Sequence, residues 1–227
     1  MIRVTENFRK IQDLLAKAAV DAGRSGEEIR LLAVSKKKPA EAVLEAYAAG
    51  QRDFGENFVQ EGLEKIAQVD RDDVSWHFIG HLQSNKTKAV AQHFQWVHTI
   101  DRLKVARRLS AQRPHHAADL NVCIEVNIDA EDNKSGASIA EVPDLATAIA
   151  ELPRLRLRGL MCLPAVREDF AGQREPFARL RVLLESLNDA GMQLDTLSMG
   201  MTADYAAAIQ EGATIVRIGT ALFGARE

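Results

Sequence analysis

The chain has 227 residues, 46% of them hydrophobic, with 29 basic and 32 acidic side chains that leave a formal net charge of −3. That length supports one core near the lower end of the single-barrel range of roughly 200 to 250 residues, and interspersed charge of both signs gives no field to hold nucleic acid or anionic lipid. No run of about 18 apolar residues marks a membrane span, Arg3, Glu6, Arg9 and Lys10 interrupt any apolar leader, and Cys123 and Cys162 are too few for a disulfide framework or a cysteine zinc site, so residues 1–227 read as one cytoplasmic domain.

The stripe Phe8, Ile11, Leu14, Leu15 and Ala18 predicts an amphipathic helix before the Gly23-Arg24-Ser25-Gly26 break, placed as a cap on the bottom of the fold. Eight short apolar or β-branched runs follow, at 31–35, 52–54, 76–80, 96–100, 121–128, 155–163, 196–200 and 214–219. Helical spacing separates them; Phe177, Leu180, Leu183, Leu184 and Leu187, for example, form one apolar face. Nearly continuous hydrophobic strands are buried on both faces, which favours a parallel sheet under helices, and eight of them predict a (β/α)8 TIM barrel. An open doubly wound sheet is the alternative, but no G-x-G-x-x-G follows the first strand. The irregular stretches 129–138 and 164–172 fall where top-face loops belong.

In such a barrel the chemistry collects where strands end. Lys36 stands at the end of the first strand, and its apolar walls with Lys37 and Lys38 beside it predict a pKa below the usual value of about 10.4, an amine able to attack an aldehyde. The competing interpretation is a solvated Lys-Lys-Lys loop. Late in the chain, 198–202 and 217–220 fall after the seventh strand and within the eighth, where barrels commonly bind phosphate. Gly200 and Gly219 allow close backbone approach, Ser198, Thr202 and Thr220 offer hydroxyls, and helices opening near both threonines would aim N–H groups at an anion. Two ordinary glycine turns with a capping threonine are the alternative there. Arg217 interrupts an apolar run, so its guanidinium needs an acceptor or a cavity. In a pyridoxal site an arginine facing the ring nitrogen would disfavour protonation of that nitrogen. His77 and His81 lack the helical geometry of a zinc pair, and Arg154, Arg156 and Arg158 alternate as bottom-face charges would.

Seven segments carry a family resemblance: Leu32-Ala-Val-Ser-Lys36 with Pro39, Asp53-Phe-Gly-Glu-Asn57, Trp76-His-Phe-Ile-Gly-His-Leu-Gln-Ser-Asn-Lys86, Leu157-Arg-Gly-Leu-Met161, Leu197-Ser-Met-Gly-Met-Thr-Ala-Asp204, Val216-Arg-Ile-Gly-Thr220 and Phe223-Gly-Ala-Arg226. In this order, across 31–226, they resemble the pyridoxal phosphate homeostasis protein family. The resemblance implies a fold-type III barrel similar to the amino-terminal domain of alanine racemase, with pyridoxal 5′-phosphate (PLP) held as a Schiff base on Lys36. It further implies that Ser198, Gly200, Met201, Thr202, Gly219 and Thr220 take the phosphate, that Arg217 faces the ring nitrogen and that Asn57 lines the cofactor pocket. Lys37 stands where a threonine is common and Thr202 where a serine is frequent. The implied role is a monomeric carrier that binds PLP reversibly, limits the free aldehyde and hands it to PLP-dependent apoenzymes. The chain is expected to end with the eighth strand and its short helix, without the β-domain whose tyrosine gives racemases a second acid/base; Tyr47 and Tyr205 both fall in predicted helices. The alternatives are an amino-acid racemase or transaldimination enzyme with Lys36 as its single base, and a sugar-phosphate lyase using Lys36 without pyridoxal.

Overall fold

The computed structural model describes residues 4–131 and 134–224, and in it each of the eight apolar runs overlaps a strand. These are β1 (Arg30–Val34), β2 (Asp53–Glu56), β3 (Ser75–Phe78), β4 (Trp96–Ile100), β5 (Leu120–Val126), β6 (Leu155–Cys162), β7 (Thr196–Ser198) and β8 (Ile215–Ile218). Neighbours pair in parallel in sequence order and β8 returns to β1, closing the barrel. The helices are α1 (Val4–Asp21), α2 (Ala40–Ala48), α3 (Val59–Val69), α4 (Thr87–His93), α5 (Leu103–Gln112), α6 (Val142–Ala150), α7 (Phe170–Asp189), α8 (Tyr205–Gln210) and α9 (Thr220–Phe223). None of the described helices is long and apolar enough to cross a membrane.

Two apolar layers explain why the strands lack clean alternation. Leu32, Ile79, Trp96, Cys123, Met161 and Ile215 pack inside the barrel, while Ala33, Phe54, Val97, Ile124 and Val216 belong to the larger layer under the helices. Successive residues of a strand point to opposite faces, and here both faces are dry. The expected runs at 76–80, 121–128, 155–163 and 196–200 all outlast their strands at the carboxyl end. Apolar residues of both layers continue past the last ladder bond, Ile79 on the inner side and Ile128 and Met199 on the outer, where the top-face loops begin.

The first helix is where expected, but its position corrects the expectation of a bottom cap. It packs against α2, α8 and α9, within the outer ring. The reason is geometric: α9 has only four residues and cannot cover the outer face between β8 and β1, so Val4, Phe8, Ile11, Leu15 and Ala19 supply that cover. Asn7 ties the two by donating to the Leu222 carbonyl at 3.0 Å. Leu14, counted in the predicted stripe, is 51% exposed. Arg226, part of the last resemblance segment, lies outside the described residues.

Candidate functional site

A cavity of about 190 Å³ opens at the carboxyl ends of the strands, and Lys36, Asn57, Met201, Thr202, Arg217, Gly219 and Thr220 line it together, with Val34, Ile79, Met161 and Leu163 as apolar walls. Lys36 is half-buried in a turn two residues beyond β1. The turn is closed by the Lys38 N–H on the Ser35 carbonyl at 3.0 Å and passes through Lys37 at φ +60°. Beneath it lies a buried charge cluster. The Lys65 ammonium donates to the Ser35 carbonyl at 2.6 Å and to the Glu56 and Glu61 carboxylates at 2.7 Å each, while the Ser35 hydroxyl donates to Glu56 at 2.6 Å and the Lys37 N–H to Glu61. Burial pushes the Glu56 pKa up, against the pull of Lys65. The cluster thus anchors the turn on either side of Lys36. Sequence reasoning missed Glu61 and Lys65, because an i,i+4 pair on a helix normally marks a solvated face.

At the β7–β8 side the expected phosphate residues divide. Thr202, Gly219 and Thr220 line the cavity, and among the described residues neither their backbone N–H groups nor the two hydroxyls have a hydrogen-bond partner. Thr202 lies in a loop turn, since α8 starts only at Tyr205, which corrects the expectation of a helix opening near it, whereas the four-residue α9 does open at Thr220 with Gly219 as its cap. Gly200 shapes the loop from behind. It sits at φ +91°, where a Cβ would come 2.6 Å from that of Ala208, and its carbonyl accepts the Arg217 N–H at 3.0 Å. Ser198 also departs from expectation. It is fully buried inside the barrel, its hydroxyl engaged with His98 at 2.8 Å and Arg217 at 2.8 Å, so that group is unavailable to a phosphate in the cavity.

Arg217 forms the cavity floor at 5% exposure. It donates to the Ser198 carbonyl at 2.6 Å, the Ser198 hydroxyl at 2.8 Å and the Cys162 carbonyl at 2.8 Å. A guanidinium has five N–H groups, so part of the fork remains for a ligand. Burial draws its pKa down from the ordinary value, yet arginine stays cationic in proteins. Opposite, the Asn57 side-chain oxygen is buried without a partner. Gly80 permits this approach, since a Cβ there would meet the Asn57 carbonyl oxygen at 2.0 Å.

A second cavity, about 340 Å³, shares Asn57, Ile79 and Leu163 with the first and reaches Thr99, Glu125, His81 and Lys134. Glu125 is 7% exposed, and burial followed by the like charge of Asp101 pushes its pKa up to about 7, against Arg217. The signal that exposed Arg217 in the sequence, a charge within an apolar run, was present for Glu125 too. His77 and His81 are not brought together: one is enclosed in the barrel and the other is exposed. Burial raises both thiols, Cys123 and Cys162, to about 12, which leaves them inert as nucleophiles.

The donor set of the first cavity suits pyridoxal phosphate: an amine at β1, a cation on the floor and a cluster of free N–H and O–H donors near β8. Comparison with known proteins first defines the class. The chain matches the alanine racemase N-terminal domain over residues 3–227. Alanine racemase from Corynebacterium glutamicum shares the fold at a TM-score of 0.73 and 15% identity, over 97% of this chain and 60% of that one. Relatives over the full length narrow this further. The pyridoxal phosphate homeostasis protein of Pseudomonas aeruginosa is 56% identical over 100% of this chain and 97% of its own length, and that of Escherichia coli K12 is 52% identical over 99% and 97%. The chain belongs to the pyridoxal phosphate homeostasis protein family. PipY of Synechococcus elongatus, solved with PLP bound, superposes at a TM-score of 0.84 with 34% identity, covering 97% of this chain and all of that one.

Proposed function

We propose that this chain binds PLP and serves intracellular PLP homeostasis, holding the cofactor on Lys36 and supplying it to apoenzymes as a cytoplasmic monomer. The observation that carries the reading is the convergence of Lys36, Arg217, Thr202 and Thr220 on one cavity of about 190 Å³ in a family named for this role. When bound, the cofactor supplies an aldehyde that condenses with an amine, releasing water. In this reading Lys36 is that amine, and the buried Lys65–Glu56–Glu61 cluster fixes the turn that presents it. Thr202, Gly219 and Thr220 offer uncommitted donors to the phosphate. Arg217 would present a permanent cation to the ring nitrogen, which would disfavour protonation of that nitrogen and so restrain carbanion chemistry. That suits a carrier. Borohydride reduction of PLP-treated protein followed by peptide mass analysis tests it: the adduct is expected on Lys36, and an adduct elsewhere, or none at saturation, overturns it.

One observation favours the enzymatic alternative, a racemase or transaldimination activity with Lys36 as base. Glu125, raised to about 7 in the adjoining cavity, is poised for proton transfer near neutral pH. Against it, Tyr47 is bonded to Asp73 at 2.9 Å on an outer helix, and neither it nor Tyr205 lines either cavity. D/L interconversion assayed across several amino acids decides between the two, since turnover lost on Lys36→Ala establishes the enzyme.

A further inference from the structure

A hydrogen-bonded column runs through the barrel interior beneath the cavity. Asp53 Oδ1 lies 3.0 Å from His77 Nε2, His77 Nδ1 lies 2.9 Å from His98 Nε2, His98 Nδ1 lies 2.8 Å from the Ser198 hydroxyl, and that hydroxyl lies 2.8 Å from Arg217. Both imidazoles and Ser198 are at 0% exposure, and Trp96 stacks on His77 with ring centroids 5.3 Å apart.

The chemistry of the end groups assigns every proton. Arginine only donates, so the Ser198 oxygen accepts from Arg217 with one lone pair, and its own hydrogen goes to His98 Nδ1 because the carboxylate of Asp53, which only accepts, draws the ring protons of both neutral histidines to Nε2. The His98 proton then sits on Nε2 and is donated to His77 Nδ1, which places the His77 proton on Nε2, facing the Asp53 carboxylate. Ser75, whose hydroxyl is 3.2 Å from His77 Nε2, can accept a share of that same N–H. Both rings are neutral with all four bonds made, and a further proton on either ring would set one hydrogen against another. The charged groups around them are Asp53 and Arg30 at His77, and Arg217 and Arg30 at His98; desolvation and these arginines hold both imidazoles below their ordinary pKa.

We propose that His98 and His77 are positioning residues for the cofactor: locked as single neutral tautomers, they orient Ser198, through it fix the Arg217 fork under the cavity, and join that fork to Asp53 at the opposite end of the barrel. The cofactor part rests on the reading that Arg217 faces the pyridine ring; the proton arrangement does not. Arg217 is long and rotamer-rich, and its terminal NH1 donates both hydrogens to Ser198, so the Ser198 hydroxyl aims the fork only while its own hydrogen is drawn away by His98.

Two measurements test this. Nitrogen-15 NMR of histidine-labelled, cofactor-free wild type should show Nδ1 unprotonated and Nε2 protonated on both residues, unchanged between pH 5.5 and 8; a cationic ring or the opposite tautomer at His98 overturns the column. In the PLP-loaded protein, His98→Leu should weaken PLP binding roughly tenfold and move the pH midpoint of the visible band by about one unit, the equivalent of one charge-assisted hydrogen bond. His98→Gln, which keeps a donor and an acceptor, should recover most of that, and adding Ser198→Ala to His98→Leu should change little, because both break the same chain. If His98→Leu does not fold, His98→Gln and Ser198→Ala alone carry the test, Ser198→Ala expected to move the midpoint by the full unit and His98→Gln only part of the way. Folded variants with wild-type affinity and band midpoint overturn the positioning role. A wild type with no visible band at saturating PLP removes the underlying cofactor reading, and with it that role, while the tautomers are still read independently.

Discussion

The two ends of the barrel are built from the same strands and obey opposite rules. At the amino-terminal end the charges are paired, although the Gln112 side-chain oxygen is buried there without a partner among the described residues: Arg158 reaches Asp195 at 2.7 to 3.2 Å and the Asn121 side chain at 3.0 Å, and Arg30 and Arg158 lie over the Trp96 ring at 5.8 and 5.0 Å. At the carboxyl-terminal end groups are left over. Among the described residues one Glu56 oxygen and the Asn57 oxygen are buried without partners, the exposed Thr202 and Thr220 hydroxyls at the rim have no protein partner, and Glu125 sits in a cavity with its pKa near 7. Buried polar groups are nearly always satisfied within a protein, so a cluster of unsatisfied ones at one end marks where something else completes the bonding. The paired end serves stability and the unpaired end serves a ligand.

The comparison breaks most severely where the upper end holds a buried ion pair. Lys65→Met leaves the Glu56 carboxylate buried without its cation and should cost about 3–5 kcal/mol in urea unfolding, while also loosening the Lys36 turn. A smaller loss would mean that Glu56 takes up a proton, as its raised pKa permits. Next is Glu125, where the sign follows from a folded pKa of about 7 against an ordinary value of 4.5. Between those values the unfolded chain ionises while the folded chain keeps its proton, so stability falls as pH rises and the full penalty stands above 7. Glu125→Gln should therefore gain on wild type by on the order of 2 kcal/mol between pH 5 and 8, and parallel urea midpoints at the two pH values would refute it. At the ligand end, Thr202→Val and Thr220→Val should each weaken PLP binding about fivefold, roughly 1 kcal/mol, with melting temperature unchanged. The smallest effect belongs to the paired end: Asp195→Asn should lower stability by about 0.2–1 kcal/mol, because the pair is half in solvent, and leave the PLP dissociation constant alone. A change in that constant would erase the division of labour.

The number of strands, their parallel order, the closed barrel and the place of Lys36 were all legible from the amino acids, because they depend on local runs, helical spacing and the rule that loops after strands build the top face. Arg217 and Glu125 carried the same local mark, a charge in an apolar run. What could not be read was which face of each strand points inward. Strands dry on both faces lose the alternation that would reveal it, so Ser198 passed for a phosphate ligand and His77 was weighed only as half of a zinc pair, although both belong to the barrel interior. The place of α1, the bonds from Lys65 to the turn at Ser35 and the column from Asp53 to Arg217 join residues that lie up to 215 positions apart in the chain, and only the tertiary fold brings them within bonding distance.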